Sequence, residues 1–122
     1  MNRETMEAYY QTFNSGNHKA LADFYSDDVV FEFRDIRLEG KEAVLNNLAK
    51  LQQIVTEKIV LRSLIIDGNQ VAVEVDDTFT AKVDLPDFSG RPLKKGESIT
   101  GRYSGFYIIQ DNRIRQVRLY RL

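Results

Sequence analysis

Between Val71 and Val83 every second residue is apolar with one exception: the row reads Val71, Val73, Val75, Asp77, Phe79, Ala81, Val83. A two-residue period predicts a β-strand with one buried face, and the intervening Ala72, Glu74, Asp76, Thr78, Thr80 and Lys82 fit a face that meets water. Upstream the period is helical. Met6, Tyr9, Tyr10 and Phe13 recur at three- and four-residue spacing and predict a helix over Glu4 to Asn14, stopped by Gly16. Asn17 caps a second short helix whose Ala20, Leu21, Phe24 and Tyr25 face inward. Val29 to Arg34 alternates as a short strand. Gly40 breaks the loop before a third helix, about Lys41 to Gln53, with Val44, Leu48 and Leu51 on its buried side.

The rest of the chain reads as strands. Thr56 to Ile66 and the Val71 row form a hairpin through Asp67-Gly68-Asn69, and Ile99 to Ile109 pairs with Arg113 to Leu122 through Gln110-Asp111-Asn112. Between the hairpins, Asp84 to Glu97 holds both prolines and two glycines and reads as an irregular connection or rim loop that can cover a pocket mouth. Helices first and antiparallel strands after them predict an α+β domain, with three N-terminal helices packed on one face of a curved, mostly antiparallel sheet. A curled sheet closed by helices is a cone-shaped half-barrel. The expected organisation is one domain over residues 1–122, because a chain of this length builds one core.

With 43% hydrophobic and 29% charged residues the chain is expected to fold without disordered segments. The absence of cysteine removes disulfides, thiolate metal sites and cysteine nucleophiles, and fits a reducing compartment. Met1 to Glu7 carries three charges and no apolar run follows it, so neither a signal peptide nor a membrane span of about eighteen residues is read, and a cytoplasmic protein is expected. Seventeen basic residues balance eighteen acidic ones. Five arginines fall between Gly101 and Leu122, but those of the last strand occupy both parities and form no basic stripe, so nucleic acid is not expected as a partner.

The one acid inside an apolar row, Asp77, is the lead candidate for chemistry. Burial disfavours the charged carboxylate, which suits a group that exchanges protons near neutrality. The alternative is structural: Asp77 bonds a tyrosine hydroxyl, pairs with an arginine or faces a subunit interface. His18, the only histidine, opens a short helix and reads as an exposed or capping-turn residue. No histidine cluster or carboxylate cage marks a metal site, no glycine loop cradles phosphate, and no cofactor is expected.

Four local patterns occur in order: Tyr9 to Gly16 followed by Asn17, Tyr25-Ser26-Asp27-Asp28-Val29-Val30-Phe31, Gly40-Lys41-Glu42-Ala43, and Ile108-Ile109-Gln110-Asp111-Asn112-Arg113-Ile114. In this order the chain resembles the nuclear-transport-factor-2-like superfamily, and Ser89-Gly90-Arg91-Pro92-Leu93 is most similar to its SnoaL-like branch. The resemblance implies a conical pocket between helices and sheet, a small apolar or aromatic ligand, and a homodimer through the outer face of the sheet. Compared with ketosteroid isomerases, Tyr9 stands where an oxyanion-stabilising tyrosine is kept, but Phe33 occupies the position of the general base and the second acid's place falls near Gly105. Against limonene-epoxide hydrolases, Asp77 matches one acid; Val75 replaces the arginine, Phe31 and Phe33 the water-holding pair, and Leu119 the second aspartate.

The resemblance thus implies Asp77 as acid/base and Tyr9 as hydrogen-bond donor, with Phe13, Phe31, Phe33, Tyr103 and Leu119 about the ligand. Each aromatic is also readable as plain core packing. The register of the last hairpin is open: a two-residue turn sets Gly105 opposite Arg118, whereas a three-residue turn with Asn112 left-handed sets Tyr103 opposite Leu119 and Gly105 opposite Val117. The resemblance favours the second. Isomerase, cyclase or hydrolase chemistry, passive ligand binding, and a protein-interaction dimer all remain compatible with these residues.

Overall fold

A computed structural model describes residues 1–122. The first helix, α1 (Arg3–Ser15), begins where the Asn2 side chain accepts a hydrogen bond from the Thr5 N–H at 2.9 Å, and ends at Gly16, whose φ of 76° few other residues adopt. It buries Met6, Tyr9 and Tyr10. A short α2 (His18–Leu21) follows, capped by the Asn17 side chain, and runs through a single 3₁₀ turn into β1 (Tyr25–Phe33). The strand is longer than the Val29 to Arg34 alternation predicts. Its extra residues are hidden from a periodicity reading because pairing slips between Tyr25 and Val30.

Arg34, at φ 56°, turns the chain into β2 (Ile36–Glu39), a strand not foreseen in the sequence; only Leu38 of its four residues is better than exposed, so no apolar alternation announces it. Gly40 then adopts φ 93° and donates its N–H to the Val29 carbonyl at 2.7 Å, which anchors the start of α3 (Lys41–Gln52) against β1.

Four long strands complete the sheet: β3 (Val55–Asp67), β4 (Gln70–Ala81), β7 (Ser98–Gln110) and β8 (Arg113–Arg121), with the small hairpin β5 (Leu85–Phe88) and β6 (Arg91–Leu93) inserted between β4 and β7. The order across the sheet is β2-β1-β8-β7-β4-β3, and every pair is antiparallel except β1 with β8. The concave face carries Val71, Val73, Val75, Tyr103, Tyr107 and Val117, which join Met6, Tyr9, Tyr10, Leu21 and Val44 of the helical layer in one core. The α+β cone expected from the sequence is therefore the architecture observed.

Asn14 joins the two layers at the free edge of the sheet. Its side chain donates to the Ile59 carbonyl and accepts from the Ile59 N–H, both at 2.8 Å, so it satisfies the backbone groups that an edge strand leaves unpaired. That contact fixes the end of α1 over β3.

The last hairpin follows neither register expected of it. Asp111 and Asn112 both have positive φ, 53° and 60°, and form a two-residue turn that pairs Gln110 with Arg113. A bulge then offsets the ladder: Ile109 faces Ile114, but Ile108 faces Gln116. Beyond it Gly105 lies opposite Leu119, Tyr107 opposite Val117 and Tyr103 opposite Arg121. The extra residue restores the parity that turns Tyr103 and Leu119 to the concave side, by a route other than a longer turn.

The stretch Asp84 to Glu97 is likewise more regular than expected. Ser89 and Gly90, both with positive φ, close the β5–β6 hairpin, and Leu93 is fully buried beneath it. Val83 is a correction to the apolar row: β4 ends at Ala81, the chain turns away, and Val83 is exposed.

Candidate functional site

Helices and concave sheet enclose a cavity of about 500 Å³. All seven residues singled out from the sequence line it: Asp77, Tyr9, Phe13, Phe31, Phe33, Tyr103 and Leu119. Twenty of the twenty-five lining residues are hydrophobic, which leaves Asn47, Lys50, Glu57, Asp77 and Ser89 as the polar ones. Phe88 and Ser89 bring the β5–β6 hairpin to the wall, and the Phe88 ring packs on Phe79 at 5.2 Å. Phe33 meets Tyr103 edge-on at 5.7 Å.

Asp77 is placed by strand periodicity and given room by a glycine. It pairs with Ile59 on β3 and with Gly101 on β7. The Tyr103 ring folds back over Gly101: a Cβ there would stand 3.0 Å from the ring edge and 3.3 Å from the hydroxyl. A side chain at position 101 would therefore make the Tyr103 ring give way by a few tenths of an ångström. Gly105 is as crowded, with Val73, Leu119 and Tyr107 all within 3.1 Å of where a Cβ would lie.

The acid that shares the cavity wall with Asp77 is Glu57, a residue no periodicity in the sequence singles out. Glu57 sits opposite Phe79 on β3, one inward position along from Ile59, so the two carboxyls are diagonal neighbours on one face of adjacent strands. Burial and the adjacent Glu57 carboxyl push the Asp77 carboxyl well above the ordinary carboxylate range. Burial also raises Glu57, while its hydrogen bond with Asp77 acts in the opposite direction. Two ionised carboxylates have no proton to donate, and in that state Asp77 Oδ1 is buried without a partner. One proton shared by the pair satisfies both observations, and the two groups titrate as a unit.

Tyrosines surround this pair in two hydroxyl contacts, Tyr9 to Tyr25 at 2.6 Å and Tyr10 to Tyr107 at 2.9 Å. Burial raises all four hydroxyls above the ordinary tyrosine value, Tyr107 to about 12, so they stay protonated at neutral pH. The Tyr9 hydroxyl is thus engaged by Tyr25, and Glu57 is the polar group that meets Asp77.

His18 stands outside the cavity wall. Its Nε2 is buried without a partner, so this first residue of α2 is half-buried in the capping turn and not exposed. No group of three or more histidine, cysteine or acidic side chains is arranged to hold a metal ion, and no helix is long and apolar enough to cross a membrane.

A family model for the SnoaL-like domain matches residues 6–117. No curated protein matches the sequence. Among solved structures, a candidate polyketide cyclase from Pseudomonas putida KT2440 is 26% identical, with TM-score 0.75 over 94% of this chain and 86% of its own. An epoxide hydrolase of the limonene-epoxide-hydrolase-like type from M. tuberculosis has TM-score 0.78 at 18% identity, covering 98% and 80%. A protein of ketosteroid-isomerase-like fold from Catenulispora acidiphila DSM 44928, in complex with trimethylamine, has TM-score 0.79 at 12% identity, covering 98% and 86%. The latter two likenesses show shared fold alone. Spanning nearly the whole of the helical layer and the sheet described above, the family match places this chain in the SnoaL-like family.

Proposed function

We propose that this chain is a small-molecule-binding domain that performs acid/base chemistry on a cyclic, mostly apolar substrate, with Asp77 as the proton-exchanging group. The observation that carries the reading is a buried carboxyl, next to a second one, on the wall of an otherwise apolar cavity of about 500 Å³. A pair that holds one proton offers an acid and a base in the same site. Either can act, because a proton given to the substrate by one member is recovered by the other. Phe13, Phe31, Phe33, Tyr103 and Leu119 hold the apolar body, and Tyr9 stiffens the wall through Tyr25.

The test is Asp77→Asn assayed with cyclic ketones, epoxides and polyketide-like compounds. Loss of turnover by about a hundredfold or more, with the circular dichroism spectrum unchanged, is the expected result. Unchanged turnover removes Asp77 from the chemistry. Ligand binding without turnover by the unmodified protein assigns the cavity to binding alone.

The domain is further proposed to act as a homodimer through the outer face of the sheet. Val60, Ile65, Phe106 and Tyr120 support this, because all four are large apolar side chains exposed on strands whose other face is the core. Light scattering at micromolar concentration decides it, and a monomer refutes it.

A further inference from the structure

The cavity wall carries two acids, Glu57 and Asp77, against one base, Lys50. Asp77 is only 8% exposed, lines the cavity, and has a buried Oδ1 with no protein partner beyond the neighbouring Glu57 carboxyl. Neither it nor Glu57 belongs to an ion pair; the salt bridges of the molecule all join other residues. The titratable groups that feel Asp77 are Glu57 from β3, Tyr10 from α1, and Tyr103 and Tyr107 from β7; Tyr9, Tyr25 and, from α3, Lys50 line the same cavity. Four of those hydroxyls are turned on one another.

The chemistry of this arrangement selects among ligands. A ketone or ether oxygen can be answered by the shared proton or by the Tyr103 hydroxyl, but it brings no charge to balance that of the carboxyl pair. An anion meets two carboxyls in a medium of low dielectric, where like charges repel strongly. A protonated amine supplies N–H donors and the positive charge that the pair lacks, and its apolar body lies among aromatic faces that attract a cation.

Resting on the apolar-ligand reading above, we propose that Glu57 and Asp77 form the recognition head for a protonated primary or secondary amine carried on a compact apolar or aromatic body. Binding is an exchange: the ammonium takes the place of the proton between the carboxyls, that proton passes to solvent, and the complex holds two carboxylates about one cation. Affinity then rises with pH while the amine itself stays protonated.

The experiment is isothermal titration of the whole chain with benzylamine, with ethylbenzene as its neutral counterpart and benzoate as its anionic one. Benzylamine is expected to bind at least about tenfold tighter than ethylbenzene at neutral pH, and benzoate not at all. The preference grows between about pH 6 and about pH 8, and the heats differ between phosphate and Tris buffers by the proton released. In Glu57→Gln/Asp77→Asn the preference disappears while ethylbenzene affinity persists. Ethylbenzene equal to or tighter than benzylamine overturns the amine proposal and leaves the apolar cavity standing; failure of both ligands to bind overturns both. Should the double variant not fold, the unmodified protein decides alone, because tight benzylamine binding with no buffer-dependent heat also overturns the exchange.

Discussion

Asp76 and Asp77 are consecutive residues of β4 with opposite fates. Asp76 points to the outer face, where Arg62 Nε approaches one carboxylate oxygen at 2.6 Å and Arg102 Nε the other at 2.9 Å, and these hydrogen bonds hold its carboxyl down to about 2. Asp77 points inward, where burial and Glu57 push its carboxyl the other way. The same side chain therefore serves as a fixed anion on one face and as a proton holder on the other. The strand pleat, which reverses direction at each residue, is the whole difference. Outside, threonine and serine hydroxyls pair across β4 and β7 at Thr78–Thr100 and Thr80–Ser98; inside, the same two strands present valines, tyrosines and two glycines.

The contrast between faces can be broken in several ways. The largest effect is expected from Ile114→Ala, which empties a fully buried site on the inner side of β8 and should cost about 2–5 kcal/mol in urea unfolding. Next comes Gly105→Ala. A methyl group there meets Val73, Leu119 and Tyr107 at once, and overpacking of this kind costs about 1–3 kcal/mol, read by the same measurement.

Asp77→Asn sharpens the comparison through its sign. A carboxyl raised on folding is ionised in the unfolded chain above about pH 4 but still protonated in the native one, so stability falls as pH rises through that range. The amide removes the penalty. Asp77→Asn should thus stabilise the protein by about 1–2 kcal/mol at pH 8 and change nothing near pH 3, as urea titrations at the two pH values will show.

Asp76→Asn runs in the opposite sense. A depressed carboxyl contributes stability above its unfolded value, and loses that contribution as pH falls toward about 2. The variant is therefore less stable at pH 7, with the gap closing in acid. Both aspartates shifting stability in the same direction would defeat the two-face account. The smallest effect is expected at Val60→Ala on the outer face, within about 0.5 kcal/mol for the isolated chain; a larger loss that depends on protein concentration points to the dimer.

Much of this was legible in the sequence because periodicity is local. The β4 row gave Asp77 its inward position without knowledge of any partner strand, and all seven residues proposed for the pocket line the cavity. Glu57 escaped for a specific reason. Val55, Glu57, Ile59 and Leu61 are an inward row as regular as that of β4, but a bulge between Leu61 and Ser63 moves the inward positions to Leu64 and Ile66. Read at a constant period from Thr56 to Ile66, both rows mix apolar and charged residues, so one acid among them is no anomaly. The last hairpin hid a bulge too, and the expected partners of Gly105 were off by one or by two although the facing of Tyr103 and Leu119 was right.

What the sequence determined by itself is which side of an unbulged strand such as β4 each residue occupies, since there it depends only on alternation along the backbone. Which residue of another strand stands beside it was decided by turns, bulges and packing, which set how far each ladder is offset. Asp77 was visible as a buried acid. That it shares its site with Glu57, and so holds a proton where Asp76 holds two arginines, only the assembled sheet could decide.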